Sequence, residues 1–142
     1  MSLGYSLLEL ATVMAIFAMA ATSLGPGARR YRDVASVSAA RESVLGLLTT
    51  ARVRALGKGG VTVTVMGRPW RAVLEDADSV IATVEIEQDL GVELTLSRAR
   101  MTTTLTFDAL GLGRVSSETI RFRRDSAERL LVISSYGRAR RQ

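Results

Sequence analysis

The feature that most constrains this chain is an apolar segment near its N-terminus. Residues 5–24 read YSLLELATVMAIFAMAATSL, and Glu9 is the single charged residue among them. Twenty helical residues span about 30 Å, the thickness of the hydrocarbon core of a bilayer. A secretory signal peptide fits poorly, because no Lys or Arg precedes the run and the run exceeds the usual apolar length of about 7–15 residues. The sequence therefore predicts a helix for a membrane span or for the core of an apolar assembly.

Glu9 is the unusual residue of this segment, because a carboxylate among apolar side chains is costly unless it has a partner. A free amine is a natural partner, and cleavage of the chain after Gly4 would create one at Tyr5. In a staggered helical assembly, the Tyr5 amine of one subunit would face Glu9 of another and neutralise both charges. The alternative is a single-span helix whose Glu9 lies near the lipid headgroups.

The segment from Gly4 to Leu10, GYSLLEL, resembles the prepilin peptidase site of type IV pilins and of type II secretion pseudopilins. In that family a glycine is followed by an aromatic residue, a small polar residue, two aliphatic residues, Glu and an aliphatic residue. The resemblance implies cleavage between Gly4 and Tyr5, N-methylation of Tyr5, and Glu9 as the determinant of assembly and methylation. The implied leader, residues 1–4, lacks the Lys or Arg that is usual in the family.

The same resemblance implies a location and a set of partners. Residues 5–24 would hold the chain in the inner membrane, with its globular domain on the periplasmic side. The chain would then join an extracytoplasmic pilus or pseudopilus. The implied partners are prepilin peptidase and other pilins or pseudopilins.

A helix break is predicted at residues 25–27, where Pro26 stands between two glycines. Proline removes a backbone hydrogen bond and glycine loosens a helix further. Pilins of the family also carry a proline about here, where the helix stretches as the filament forms. After the break, residues 28–56 carry apolar side chains at three- and four-residue steps and predict an amphipathic helix that docks on the globular domain.

Residues 61–142 have the sequence pattern of a β domain. Seven short segments rich in β-branched and aromatic residues are separated by turn residues. They are 61–65, 70–74, 80–86, 92–96, 104–107, 119–122 and 130–134. The fold class is therefore α+β, with a long N-terminal helix packed on an antiparallel sheet or sandwich. The order of these elements resembles the GspH/FimT group of minor pilins and pseudopilins.

The composition leaves little room for an enzyme. The chain contains neither Cys nor His and has a single Lys, Lys58. Disulfides, thiolate nucleophiles, most zinc sites and the commonest general base are thereby excluded. Asp76 and Asp78 are the one close carboxylate pair, and their EDADS context favours a solvated turn. We expect no catalytic site, no metal and no cofactor.

The C-terminal part is strongly basic, with ten Arg and four acidic residues between Arg98 and Gln142. Gly137-Arg138-Ala139-Arg140 matches the Gly-Arg-x-Arg signature that the FimT branch uses to bind DNA in natural transformation, and Arg141 adds a charge. Arginines on an extended tail would grip successive phosphates without reading sequence. The alternative is a solvated tail with incidental arginines.

Two functions follow. One is a minor pilin of a type IV pilus that primes or joins filament assembly and binds DNA non-specifically for uptake. The other is a GspH-like pseudopilin of a type II secretion system without a DNA role. The two share leader, helix and fold, so only the C-terminal half separates them, and its arginines favour the minor pilin.

Overall fold

The computed structural model describes residues 6–77, 79–115 and 117–142, without the side chains of residues 21–26. The chain divides into two compact units, Met1–Arg32 and Asp33–Gln142. The predicted leader and cleavage site, including Gly4 and Tyr5, lie outside the described residues. The first unit is therefore described from Ser6 onward.

One α-helix, α1 (Leu7–Ala55), accounts for the N-terminal third of the chain. It begins after Ser6, whose side-chain Oγ accepts a hydrogen bond of 3.2 Å from the backbone N–H of Glu9, as an N-cap does. The sequence predicts a break at residues 25–27, whereas the backbone is helical through these positions. A proline removes one hydrogen bond and can bend a helix, but the helix continues where the residues on both sides favour it.

The part of α1 in the second unit carries one buried apolar stripe. Its buried residues recur at steps of three and four and are Val37, Ala40, Val44, Leu47, Leu48, Ala51 and Ala55. This recurrence is the periodicity of a helix that packs one face on a core. The stripe predicted from the sequence is present, with Val34 half-buried at its margin.

Nine strands follow α1 in the described residues, together with a five-residue helix α2 (Ile86–Leu90). The strands are β1 (Val61–Gly67), β2 (Trp70–Asp76), β3 (Ser79–Glu85), β4 (Glu93–Leu96), β5 (Thr102–Phe107), β6 (Gly113–Arg114), β7 (Glu118–Arg124), β8 (Ala127–Ile133) and β9 (Ala139–Arg141). One sheet has five strands in the order β3-β2-β1-β5-β6, and the other has four in the order β4-β7-β8-β9. All neighbouring strands are antiparallel.

Each of the seven predicted strands overlaps a strand of the structure. The two that the sequence did not predict are β6 and β9, with two and three residues. Strands this short show no alternation of apolar and polar residues, so a sequence pattern cannot reveal them. The strand β9 nevertheless matters here, because it contains Arg140 and Arg141.

One apolar core joins the α1 stripe to both sheets. Phe107 comes from the first sheet, whereas Phe122 and Leu131 come from the second, and all three are fully buried. Among the described residues, every buried hydrophobic side chain lies between Val37 and Ile133. The unit Asp33–Gln142 therefore has a hydrophobic core of its own, as an independently folding domain requires. The predicted α+β fold, a long N-terminal helix with antiparallel sheets packed on it, is confirmed.

Candidate functional site

The N-terminal part of α1 presents apolar side chains on all of its sides. Every residue from Ser6 to Ala20 is exposed. The large hydrophobic ones, between 45% and 88% exposed, are Leu7, Leu8, Leu10, Val13, Met14, Ile16, Phe17 and Met19. Neighbours such as Leu7 and Leu8 point to different sides of a helix, so these residues do not form a single stripe. No helix within the described parts of the chain combines the length and hydropathy that a membrane span requires.

Glu9 lies in the first turn of this helix with its side chain exposed. Ser6 and Glu9 have the spacing of a capping box, and Ser6 caps the Glu9 N–H. A carboxylate in the first turn also interacts favourably with the positive end of the helix dipole. Glu9 therefore helps to start α1, in addition to any part it has in assembly. Of the other processing and assembly residues, Gly4 and Tyr5 precede the described residues, and Pro26 is described only as helical backbone.

The predicted C-terminal tail is an edge strand. β9 pairs with β8, and Arg140 lies opposite Val132. The pairing extends to Arg138, whose carbonyl accepts a hydrogen bond of 2.8 Å from the N–H of Ser134. The C-terminal arginines are thus held on the second sheet, with backbone positions fixed by the ladder.

These arginines divide between the two faces of the sheet, because successive residues of a strand point to opposite sides. Arg141 lies on the side of α1, where its Nη2 is 2.8 Å from Oε2 of Glu42. Arg138 and Arg140 are exposed on the opposite face. Their side chains make no hydrogen bond or ion pair with any residue that the structure describes. Two of the three predicted DNA-contacting arginines are therefore available to a ligand, and the third is paired.

The contact between Arg141 and Glu42 ties the end of β9 to α1. The hydrogen bond from Arg141 holds the pKa of Glu42 below its usual value, and partial desolvation opposes the shift. Arg41 acts in the same direction as Arg141, with its Nη2 3.2 Å from Oε1 of Glu42. A carboxyl group with a lowered pKa stabilises the folded state at neutral pH, and the contribution is lost as the pH falls through the lowered pKa.

Gly137 is buried and has a structural task in the turn before β9. Its φ is +73°, and a Cβ here would lie 2.9 Å from the Cα of Gly113. Nη2 of Arg52 donates a hydrogen bond of 2.8 Å to the Gly137 carbonyl, and Nε of Arg52 donates one of 3.1 Å to the carbonyl of Gly111. The Arg52 guanidinium carbon is also 5.8 Å from the centroid of the Phe107 ring. Arg52 therefore fastens the turn that carries Gly137 to α1.

The sequence did not reveal that two more arginines share the face of Arg138 and Arg140. Thr119 lies opposite Val132, which lies opposite Arg140, so all three are on one face. Arg121 and Arg123 follow Thr119 at two-residue steps and are exposed on that face. Nη1 of Arg121 lies 3.6 Å from Oε2 of Glu128, so Arg121 is already paired. Their alternation with apolar residues is visible in the sequence, but their proximity to β9 depends on strand order.

Within the described residues, no group of three or more acidic side chains converges as the ligands of a metal ion would. The buried Glu118 accepts hydrogen bonds from the N–H of Ser97, at 2.7 Å, and from the Ser97 hydroxyl. Its other oxygen lies 3.5 Å from Nη1 of Arg100. Oδ1 of Asp76 accepts the N–H of the next residue in a turn, and Asp78 lies outside the described residues. These carboxylates have structural partners.

Comparison with known proteins identifies the fold. No family model and no curated protein matches the sequence. Two crystal structures of the type IV minor pilin FimU of Pseudomonas aeruginosa are similar to this chain. In space group P21 the identity is 15% and the TM-score 0.54, over 75% of this chain and 87% of the FimU chain. In space group P65 the identity is 16% and the TM-score 0.53, over 74% of this chain and 91% of the FimU chain. This chain therefore has the type IV pilin-like fold.

Proposed function

We propose that this chain is a minor pilin, whose N-terminal half-helix enters the apolar core of a type IV pilus. The observation that carries the proposal is the exposure of apolar side chains all around α1 from Leu7 to Met19. Eight large hydrophobic side chains are exposed there. Burial of each contributes about 1.5–3 kcal/mol, so complete burial contributes on the order of 10–20 kcal/mol before the cost of association. A helix of this kind is stable in water only when other apolar surfaces cover it.

Processing and assembly follow from the same segment. Prepilin peptidase cleaves after Gly4, and the new amine of Tyr5 becomes N-methylated. Before assembly, residues 5–24 hold the chain in the inner membrane with the β domain outside the cytoplasm. In the filament, the carboxylate of Glu9 meets the Tyr5 amine of a neighbouring pilin, which neutralises a charge that is costly in an apolar bundle. Pro26 supplies a position at which the helix stretches on assembly.

The mature N-terminus tests this part of the proposal. Mass spectrometry of the chain from cells with an active prepilin peptidase should find Tyr5 as the first residue, with the mass of one added methyl group. A Gly4→Ala variant is expected to keep residues 1–4 and to be absent from sheared pili. A wild-type chain that still begins at Met1 in such cells would contradict the proposal.

The second part of the proposed function is non-specific binding of DNA by the arginine face, defined as Arg121, Arg123, Arg138 and Arg140. All four are exposed on the outer side of the second sheet. Arg138 and Arg140 are two residues apart, so their Cα atoms are separated by about 6.5 Å along the strand. The ladder to β8 fixes the backbone at this spacing, which reduces the entropy lost on binding. Guanidinium groups held in this way suit the phosphates of a DNA backbone.

Affinity of one domain for DNA should be weak, on the order of 10⁻⁴ M, because few phosphates are contacted. Several copies on one filament would bind the same DNA molecule and gain by avidity. Arg141 and Arg121 contribute less than Arg138 and Arg140, because each is already paired with a carboxylate. Arg141 pairs with Glu42, and Arg121 pairs with Glu128.

Fluorescence anisotropy of labelled duplex DNA with residues 28–142 tests the arginine face. For the wild type, log K should fall linearly with log salt, and Arg138→Ala/Arg140→Ala should reduce this slope by about 1.8. The matched control is Arg54→Ala/Lys58→Ala, which removes the same charge from exposed positions outside the arginine face.

Two outcomes would contradict the DNA role of the arginine face. Equal slopes for the two double variants would mean that net charge, not the arginine face, binds the DNA. Absence of binding by the wild type would remove the DNA role and leave the minor pilin role standing. Without a DNA role, the arginines would no longer favour a minor pilin over a type II secretion pseudopilin, because the two functions share leader, helix and fold.

A further inference from the structure

A crevice with a volume of about 190 Å³ opens between the two sheets, beside the turn that joins β1 to β2. We call it the tryptophan crevice, and its walls include Arg68, Trp70, Leu94, Leu96, Arg100 and Met101. Trp70 is the single tryptophan of the chain, and it packs against the core while remaining only half-buried. An aromatic side chain at the wall of an open crevice offers a flat apolar surface on which a planar ligand can stack.

Hydrogen bonds hold the segments around the tryptophan crevice in place. The N–H of Gly67 donates a hydrogen bond of 2.7 Å to the carbonyl of Met101, which joins the β1–β2 turn to the segment before β5. The N–H of Ser97 donates one of 2.7 Å to the buried Glu118, and Nη1 of Arg100 lies 3.5 Å from the other oxygen of that carboxylate. The walls are therefore ordered before a ligand enters, which reduces the conformational entropy lost on binding.

The tryptophan crevice is continuous with a groove of about 320 Å³ on the outer face of the second sheet. The strand β4 lies at the edge of that sheet, and three of its residues line both the crevice and the groove, namely Glu93, Thr95 and Leu96. The groove continues over β7, where its walls include Thr119, Arg121 and Arg123. Thr119 and Arg140 both lie opposite Val132 in the ladder. One open route therefore leads from Trp70 across β4 and β7 to the arginine face.

The charges along this route suit a phosphate backbone. Arg68 is exposed at the tryptophan crevice and Arg123 in the groove, and neither forms an ion pair with a residue that the structure describes. Arg100 and Arg121 contribute less, because each is paired with a glutamate. Among the described residues that line the route, Glu93 is the one carboxylate, and it lies opposite Arg123 in the ladder. A polyanion therefore meets more positive than negative groups between the crevice and the arginine face.

The size of the tryptophan crevice and the length of the route decide which form of DNA fits. A cavity of about 150 Å³ takes up a benzene ring, so the crevice accommodates the ring of one base. Duplex DNA cannot supply such a base, because each base is paired and stacked. From β4 to β9 the route crosses three strand spacings, about 15 Å, which a few nucleotides span. We propose that this route binds single-stranded DNA, with one base stacked on Trp70 and the phosphates on Arg68 and the arginine face. The inference rests on the proposed DNA role and names the form of DNA that the domain prefers.

The fluorescence of Trp70 tests the proposal without any substitution, because the chain has no other tryptophan. Residues 28–142, which include the unit Asp33–Gln142 with its own core, are titrated with a single strand of about 12 nucleotides and with the duplex of the same sequence. The single strand should quench the Trp70 emission and bind about tenfold more tightly than the duplex, because only an unpaired base can stack. The duplex, bound through the arginine face, should leave the emission unchanged. A bound single strand that also leaves it unchanged would overturn the proposal.

Substitutions at the tryptophan crevice separate stacking from charge. Trp70→Ala should weaken binding of the single strand about tenfold, as loss of one base–aromatic stack does, and should leave the duplex affinity unchanged. Trp70→Phe keeps an aromatic ring and should recover part of the loss. Because Trp70 also packs against the core, Arg68→Ala supplies a second test at an exposed position. It should reduce the salt slope for the single strand by about 0.7, whereas Arg54→Ala removes the same charge outside the route and should not change the slope.

The results distinguish failure of this inference from failure of the DNA role. Equal affinities for the single strand and the duplex, lost in Arg138→Ala/Arg140→Ala but kept in Trp70→Ala, would refute the tryptophan crevice and leave the arginine face as the DNA site. Absence of binding to both forms would refute the DNA role and this inference with it. A single-strand preference that disappears in Trp70→Ala, with the duplex affinity unchanged, is the result expected.

Discussion

Replacement of Arg52 by Ala would remove three interactions that join α1 to the two loops beside it and to the Phe107 ring of β5. The guanidinium donates hydrogen bonds to the carbonyls of Gly111 and Gly137 and lies over the ring of Phe107. It is half-buried, and the two carbonyls belong to residues that are buried. Arg52 is therefore the side chain that couples the turn before β9 to the helix.

The cost of Arg52→Ala can be worked out from these contacts. A hydrogen bond from a charged donor contributes about 1.5–3 kcal/mol, and a partly exposed cation–π contact about 0.5–1 kcal/mol. Water reaches a half-buried site and satisfies the carbonyls in part, so the lower ends of these ranges apply. We expect the free energy of unfolding to fall by about 3 kcal/mol, a large share of the roughly 5–15 kcal/mol that is typical of a domain.

Urea unfolding of residues 28–142, followed by circular dichroism, measures this change. With an m-value of about 2 kcal/mol/M, the midpoint should fall by about 1.5 M at unchanged m. Arg54→Ala is the control, because Arg54 is exposed two residues away and should change stability by less than about 0.5 kcal/mol. Arg52→Lys keeps the charge but lacks the planar guanidinium with its several N–H donors, so its midpoint should lie between those of Arg52→Ala and Arg54→Ala. An Arg52→Ala midpoint equal to that of Arg54→Ala would refute the reasoning.

Three further predictions use the same domain or the full chain. Gly137→Ala would place an alanine at a positive φ, with its Cβ 2.9 Å from the Cα of Gly113. The free energy of unfolding should therefore fall by about 2–4 kcal/mol, and an unchanged urea midpoint would contradict this. In the wild type, the amide of Arg141 should lose protection from hydrogen exchange as the pH falls through the lowered pKa of Glu42. Glu42→Gln should remove this pH dependence, and equal pH profiles for the two proteins would contradict the prediction. In the full chain, Glu9→Ala should leave the urea midpoint of the globular domain unchanged. It should reduce the amount of chain in sheared pili at least tenfold, which corresponds to about 1.4 kcal/mol of assembly free energy, and normal incorporation would contradict this.

Periodic elements were predictable from the sequence, because their pattern repeats often enough to be recognised. The α1 stripe repeats over several turns, and β7 alternates Ile120 and Phe122 with Arg121 and Arg123. Each of these elements buries one face on a core, and that burial imposes the pattern. The α+β fold and seven of the nine strands in the described residues therefore follow from the sequence.

The site was less predictable, because it depends on pairings between distant segments. A three-residue strand such as β9 has no detectable period, so its arginines were expected on a free tail. That Arg141 lies on the face towards α1, whereas Arg138 and Arg140 lie on the opposite face, follows only from the register of β9 with β8. Arg52 donates hydrogen bonds to backbone carbonyls 59 and 85 residues away. Because every residue has a backbone carbonyl, the sequence does not indicate which ones Arg52 contacts. At residues 25–27 a local proline rule predicted a break, and the helical preference of the flanking residues prevailed.

The attachment of α1 to its domain has a mechanical consequence. The domain holds the helix near Asp33 through Arg124, along the buried stripe, and near the end through Arg52. A tensile load along the helix axis would stretch these attachments in parallel, as shear, so that no single one carries the whole force. They would have to fail together rather than in succession, which makes detachment a rare, high-barrier event governed by the unfolding rate.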